Sequence, residues 1–580
     1  MCLSRQSVPD SAWPCRWGEG ALFAFSGVDG ETDALSGFVA TLACEPFDLL
    51  WHTPRQRRLR LRIPGAVDMH TLTGDALVAD SAGGPVTLAF SAWHTLMGQI
   101  PPDAIVELLG PDGTAAGEPM PGLLLDPDPA GADALALHRE PGRFALAFGR
   151  SAAEAESRAR EAMSLHAAPP AEARLAFIAT VPQLPDPDPG LGRLFRKCAS
   201  VMKVNTLSAQ GPFRQRWSTP DRVPHRDLWL WDSVFHSLGM NHLSPPLAWE
   251  FLASVLDTQC PDGRIPLQTR PDGRRNEYTQ PPLLAWGVWR NYLALGDRAT
   301  LARALPALEA YLNWDCANRD TNGNGLLEWK MHSDKRCRCG ESGLDNSPRF
   351  DGGEPLDAVD FSVLAAHDMG CVARIAEALG EAGKAREWSR RAADLSAAIH
   401  RDLWDEADGF YYDRTLNGRL TGVRAVTGFL PLLLDDLPPV RAGRLVAALR
   451  DPAHFGVPFP VPSLSVSHPA WSNDMWRGAT WLNLNYLVIA GLQRHGYADE
   501  ARRLSGAAIA HVRKYAESMG VIFEFYDAKD DVAPSDCERK GTREGPYDIR
   551  GKVDAIRDYH WSAALTACLL LEWSGACFGV

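Results

Sequence analysis

The chain lacks any apolar run of about eighteen residues or more, which is what a membrane-crossing helix needs. Its start, MCLSRQSVPDSAWPCRWGEG, lacks the hydrophobic stretch of a secretion signal. The two absences argue against a membrane partner and give the expectation of a cytoplasmic protein. Clustered cysteine pairs are also missing. The 12 cysteines are scattered, and Cys337 and Cys339, at C-x-C spacing, have no second pair to complete a zinc site, so reduced thiols are expected. Long basic or acidic blocks are absent too. With a net charge of -13, that argues against nucleic acid or anionic membrane as the main partner. The oligomeric state has no signature in the chain.

At 580 residues the chain exceeds the size at which one hydrophobic core usually keeps growing, so two domains are expected. Its 19 tryptophans supply flat apolar faces of the kind sugar sites use, although large helical cores take up tryptophan as well.

The first part alternates with period two. Leu59, Leu61 and Ile63 interleave with Arg58, Arg60 and Arg62, and Val86, Leu88, Phe90 and then Phe144, Leu146, Phe148 repeat the pattern. Short alternating runs between Gly/Pro/Asp turns predict an antiparallel β-sandwich, with a helix over 151–163 leaving it. The stretch PQLPDPDPG can continue neither a helix nor a central strand. The expected organisation is therefore a sandwich over 1–182, a linker at 183–190 and a second domain over 191–580.

Beyond the linker the period becomes helical. Leu301, Leu305, Leu308 and Leu312 recur at i, i+4, i+7 and i+11, and Trp388, Ala392, Leu395 and Ile399 repeat that spacing. Further helical runs cover 191–208, 244–258, 279–296, 356–379, 423–434, 478–494, 498–516 and 559–573. Paired helices in this number suggest a closed toroid. Periodicity by itself does not separate that from a solenoid, but the segments lack a solenoid's fixed repeat.

Five segments make poor connectors. HRDLWLWDSVFH places Trp229, Trp231 and Asp232 at a helix start, and YTQPPLLAW sets Gln280 before a Pro pair. ESGLDNSPR presents Glu341, Asp345 and Arg349 on an irregular loop, where a helical scaffold displays catalytic groups. WRGATWLNLNY gathers Trp476, Arg477 and Trp481, and VIFEFYDA holds one carboxylate, Glu524, in an apolar run. Two carboxylates from distant parts of a chain are what glycoside hydrolysis requires, one protonated to serve the leaving oxygen and one ionised to activate water or attack the sugar. The same residues also read as helix caps and core aromatics.

Taken in order, WLWDSVFH, DGRIP (262–266), TQPPLLAW, ESGLDNSPR, WRGATWLNLNY, FEFYDA and HWSAAL (560–565) resemble glycoside hydrolase family 63 and its mannosylglycerate hydrolase-like members, and more distantly the trehalases. The resemblance implies an all-α (α/α)6 barrel after the sandwich and hydrolysis with inversion. In it Asp345 matches the general acid and Glu524 the general base. Trp229, Trp231, Asp232, Gln280, Arg349, Trp476, Arg477 and Trp481 match the substrate pocket, and Glu341 supports the loop carrying Asp345.

In RDTNGNGLLEW, Asp320, Asn322, Asn324, Leu326 (through its carbonyl) and Glu328 alternate around Gly325 like the first half of an EF-hand loop, but Met331 stands where that loop closes with Glu. Relatives bind calcium at such a loop, which implies a structural Ca²⁺ and no other cofactor. An Asn/Gly-rich turn accounts for the same residues. The functional expectation is an exo-acting, α-glucosidase-like hydrolase of a small oligosaccharide or glycoside. A mannosylglycerate, glucosylglycerate or trehalase-like hydrolase, a phosphorylase, and a non-catalytic glycan-binding toroid stand as alternatives.

Overall fold

The computed structural model describes residues 13–43, 47–164, 169–541 and 554–573. They fall into two compact units, one drawn from Met1–Gln210, Asp221–Arg226 and Arg513–Ile522, the other from Gly211–Pro220, Asp227–Val512 and Phe523–Val580. No helix among the described residues is long and apolar enough to cross a membrane. Nine described cysteines are free thiols, while Cys2, Cys44 and Cys577 lie outside the described residues.

The first unit is the expected β-sandwich. A five-stranded antiparallel sheet runs in the spatial order Leu22–Phe23, Ala40–Ala43, Asp48–Trp51, Arg57–Arg62, Ile105–Leu109. An eight-stranded sheet runs Glu118–Met120, Leu123–Pro127, Ala134–Glu140, Arg143–Gly149, Thr95–Gln99, Gly84–Ala92, Ala76–Ser81, Val67–Leu72. The alternation sorts as period two demands. Leu59 and Leu61 are buried, while Arg58 and Arg60 turn outward to the Asp48 carboxylate. Between the sheets Phe38 stacks on Trp51 at 4.1 Å and meets Phe90 and Phe148 from the other sheet. The outer face of the larger sheet is apolar as well, because helix α1 (Ala152–Ser164) covers Ala134, Ala136 and Ala147 with Ala155 and Ala159.

The Pro/Asp-rich stretch does separate α2 (Ala171–Ala179) from α3 (Pro189–Val204), and Asp188 caps α3 by accepting the Gly190 N–H at 2.7 Å. The unit boundary, however, falls later than expected. Helix α3 and the chain to Gln210 belong with the sandwich. The cause is polar: the buried Lys203 ammonium stands 2.7 Å from Asp29 and 2.5 Å from Asp75, and Ser200 accepts the Gly74 N–H. An amphipathic period reports a helix but not which unit it packs on.

The second unit holds α4 (Leu230–Asn241), α5 (Pro245–Leu256), α6 (Leu284–Leu295), α7 (Arg298–Asn318), α8 (Val359–Leu379), α9 (Ala382–Asp402), α10 (Pro439–Arg450), α11 (Leu482–Arg494), most of α12 (Ala498–Met519), and α13 (His560–Trp573). Six segments close a ring: α4 packs on α6, α6 on α8, α8 on Val426–Leu433, that segment on α11, α11 on α13, and α13 on α4. Closure decides for the toroid and against the solenoid. Its inner members are buried nearly all round, as Leu230–Met240 of α4 shows, whereas α7 and α9 bury one stripe, Leu301, Leu305, Leu308, Leu312 and Trp388, Leu395, Ile399 respectively. Ring closure depends on a close approach at Gly239, where a β-carbon would lie 2.6 Å from the Ala564 backbone. The expected helix over 423–434 is instead a 3₁₀ helix, with Pro431 inside it removing a donor from the α ladder.

Candidate active site

Each candidate segment leads into the N-terminus of an inner helix. Trp231 and Asp232 open α4, Gln280 precedes α6, Asp345 and Arg349 precede α8, Trp476, Arg477 and Trp481 precede α11, and Glu524 precedes α13. In a ring where inner and outer helices alternate, that topology carries all of them to one end. Their contacts agree with this.

Asp345 is presented by the loop 330–349, pinned at several points. Glu341, fully buried, accepts four hydrogen bonds, from the Thr279 and Lys330 N–H groups and two from Arg319, at 2.7–3.1 Å. Gly343, at φ +74°, lies on the Trp231 indole. Arg349 directs four of its five donors to Asp360 and Asp413 at 2.7–2.8 Å with its side chain fully buried, and so ties the loop's far end to the start of α8. Arg477 holds the same loop through the Asn346 carbonyl and the Asp351 carboxylate. Both arginines thus hold the loop, Arg349 with its side chain fully buried and Arg477 with part of its side chain exposed.

Trp231 is buried, and its backbone N–H donates to Gln280 Oε1 at 3.1 Å, so Gln280 fixes the start of α4. Asp232, also buried, sits in the first turn of that helix, where the backbone dipole favours a carboxylate, and Trp229 holds the position before the helix. Trp476 and Trp481 stack at 3.7 Å and 7°, and Trp481 stacks in turn on Phe525 at 4.7 Å. This ladder abuts Glu524 through its neighbour in sequence.

Glu524 is 3% exposed, and its charge is met by Arg539, which donates to both carboxylate oxygens at 3.1 Å. The Ile556 N–H adds a weaker bond at 3.4 Å. Asp345 meets the next residue, Lys540, at 2.5 Å. Burial pushes the Asp345 carboxyl up, but the Lys540 ammonium, aided by Arg539 and the Cys337 thiol, outweighs it and holds the group below the usual carboxylate range. Lys540 is itself raised: burial opposes its charge and Asp345 prevails. Its backbone is fixed at φ +61°, with Asp474 accepting the N–H groups of Lys540 and Gly541 at 2.7 and 3.0 Å.

Sequence reasoning missed Arg539, Lys540 and Asp474. CERKG reads as a solvated charge run, and the one available clue was indirect: a carboxylate inside an apolar stretch needs a cation from somewhere.

In the 320–328 loop the Asp320 carboxylate accepts the Asn324 and Gly325 N–H groups at 3.0 Å, Asn322 accepts Asn324 N–H, and Asn324 accepts Leu326 N–H. Glu328 instead receives Thr321 and Asn322 N–H groups. Asp357, from the segment ahead of α8, receives the side-chain amides of Asn322 and Asn324 and pairs with Arg414 at 3.0 Å. The oxygen-rich set is hard-cation chemistry, with Asp357 a carboxylate where Met331 offers none. A His367, Asp368, Cys371 group on α8 lies within 4.8 Å, but the Asp368 carboxylate is committed to capping α6 through the Ala285 and Trp286 N–H groups at 2.8 Å.

Residues 224–562 match the mannosylglycerate hydrolase MGH1-like glycoside hydrolase domain. A mannosylglycerate hydrolase of Selaginella moellendorffii is 26% identical over 385 residues, 51% of this chain and 75% of that one. An uncharacterized protein of Borreliella burgdorferi is 30% identical over 226 residues, 39% of this chain and 45% of that one, so less than half of that relative is spanned. The family 63 mannosylglycerate hydrolase of Thermus thermophilus, solved with glucose, superposes with a TM-score of 0.53 at 23% identity, over 65% of this chain and 99% of that one. A bacterial glucoamylase solved with acarbose has a TM-score of 0.58 at 10% identity, over 97% and 94% of the two chains, which speaks to fold alone.

Proposed function

The chain belongs to the mannosylglycerate hydrolase MGH1-like glycoside hydrolase family, whose domain spans more than half of its length, and from that premise we propose an inverting, exo-acting α-glycoside hydrolase of small glycosides. One observation carries the reading. Asp345 and Glu524, far apart in sequence, are paired with consecutive residues, Lys540 and Arg539. Two carboxylates of different environment are thereby gathered in one site, which is what acid and base roles require.

In this reading Glu524 is the general base. Its Oε2 accepts both Arg539 and the Ile556 N–H, whereas Oε1 keeps a lone pair beyond the one engaged by Arg539, so the carboxylate takes a proton from a water through Oε1 while the water oxygen bonds to the anomeric carbon. Asp345, protonated, gives its proton to the glycosidic oxygen as the bond to the leaving group breaks. Attack opposite the leaving group inverts the anomeric centre. Trp229, Trp231, Asp232 and Gln280 hold the nonreducing-end sugar, with Trp476 and Trp481 forming the apolar wall beside the base and Arg349 and Arg477 positioning the acid loop. The relatives are named mannosylglycerate hydrolases, which makes mannosylglycerate the first substrate to try, with its glucosyl counterpart beside it, ahead of trehalose, kojibiose and nigerose.

The 320–328 loop is read as a structural calcium site, with Asp320, Asn322, Asn324, the Leu326 carbonyl and Glu328 as ligands and Asp357 beside them. A bound cation would supply rigidity to the segment leading to the acid loop.

The test is turnover with the product anomer followed by NMR. Asp345→Asn and Glu524→Gln each abolish turnover with the fold retained, and wild type releases the β-anomer from an α-glycoside. Retention of configuration, or wild-type rates in either variant, refutes the assignment.

A further inference from the structure

Acid catalysis needs Asp345 protonated, yet the site sets an ammonium 2.5 Å from it. This contact is built rather than incidental. Lys540 keeps a left-handed backbone that a β-carbon disfavours, and Asp474 locks that conformation through two N–H bonds. Such a backbone persists only where its surroundings hold it, so the fold fixes where the Lys540 side chain starts. The two cations also differ in how fixed they are. Arg539 is buried with both ends of its fork on Glu524, whereas Lys540 keeps 29% of its side-chain exposure and Asp345 22%. A lysine is a point charge on a flexible stem and can change partners without losing a paired geometry.

Resting on the reading of Asp345 as the acid, we propose that Lys540 is a displaceable counter-charge that makes the enzyme selective for leaving groups carrying an anion. Asp345 serves the leaving-group oxygen, so its neighbour Lys540 lies on the leaving-group side. When a carboxylate arrives there, Lys540 turns to it, Asp345 loses its counter-ion while staying in its partly buried place, and it takes up a proton from water. That proton then passes to the glycosidic oxygen. A neutral leaving group leaves the pair closed and the acid ionised. Among the described residues the other groups acting on Asp345 are Arg539 and the Cys337 thiol, the latter pushed up to about 12 by burial, and His332 feels Asp345, Glu341, Lys330 and Lys540 together. Arg539 is committed to Glu524, so Lys540 is the cation free to exchange.

The experiment compares substrates differing only in the carboxylate: mannosylglycerate with mannosylglycerol, and glucosylglycerate with glucosylglycerol. Wild type prefers the glycerate in kcat/KM. In Lys540→Met the preference shrinks by roughly 10- to 100-fold, the size of one hydrogen bond to a charged group, and the alkaline limb of kcat/KM moves to higher pH. Lys540→Arg, whose planar fork can close on Asp345 as Arg539 does on Glu524, keeps the charge and the alkaline limb but restores only part of the preference. A Lys540→Met variant with the wild-type ratio and limb overturns the proposal. Independently of turnover, the Asp345 carboxyl followed by ¹³C NMR rises in pKa when D-glycerate, but not glycerol, is added to wild type, and does not respond in Lys540→Met. Failure of wild type on these four and on trehalose, kojibiose and nigerose removes the hydrolase reading, while the glycerate titration still decides the role of Lys540.

Discussion

Gly343 lies flat on the indole of Trp231: a β-carbon added to it would fall 2.2 Å from the ring, and its φ is +74°. The loop that carries Asp345 is thus seated on the first residues of the barrel. Gly343→Ala forces both a disfavoured backbone and a shift of the ring, costing about 1–3 kcal/mol of stability. Because misplacing a catalytic group by about 1 Å lowers rates about a hundredfold, kcat falls by far more than the loss in melting temperature suggests. Thermal denaturation beside steady-state kinetics checks this, and an unchanged kcat would show that the acid is not seated by this contact.

Arg349 neutralises Asp360 and Asp413 with its side chain fully buried. Arg349→Met strands two buried carboxylates, and urea unfolding should show a loss of about 3–5 kcal/mol. A loss below about 1 kcal/mol would mean that the pair carries no structural charge balance.

His236 and His560 stack at 3.7 Å and 7° in the core of the ring. Burial holds His560 down to about 3 and His236 well below its ordinary value, the latter also by repulsion from His560. Burial takes His367 to about 3. The sign follows from proton binding. Below about pH 6.5 the unfolded chain binds protons that the folded one refuses, so stability present at neutral pH is lost as pH falls from there towards 3. Each group contributes about 1.4 kcal/mol per pH unit in that window. Urea midpoints at pH 7, 6 and 5 should fall progressively, and His560→Gln should flatten the slope.

Calcium at 320–328 is tested by melting with EDTA and with excess Ca²⁺. The expected result is a lower melting temperature with chelator, restored by Ca²⁺ and abolished by Asp320→Ala. An indifferent melting curve removes the metal and leaves the loop as a set of Asx turns held by Asp357.

Much of this was legible in the chain because the signals are local. Period two in RRLRLR and the i, i+4 spacing of α7 need no knowledge of partners. What was not legible depends on distant pairing. Lys203 fixes α3 to the sandwich through Asp29 and Asp75, and no pattern within α3 announces that. That Arg349 meets two buried carboxylates was not legible either, because they arrive from α8 and from Asp413. Lys540 was hidden in a short mixed-charge run, and the carboxylate it meets lies nearly two hundred positions earlier.

Helix α4 and helix α13 touch through Gly239 and Ala564, and that contact closes the ring. During synthesis, then, the apolar inner faces of α4, α6, α8 and α11 emerge long before the helix that completes their enclosure. The ring has a keystone delivered last. A nascent chain halted short of residue 560 would display unfinished apolar walls, so the step most exposed to aggregation is the wait for α13.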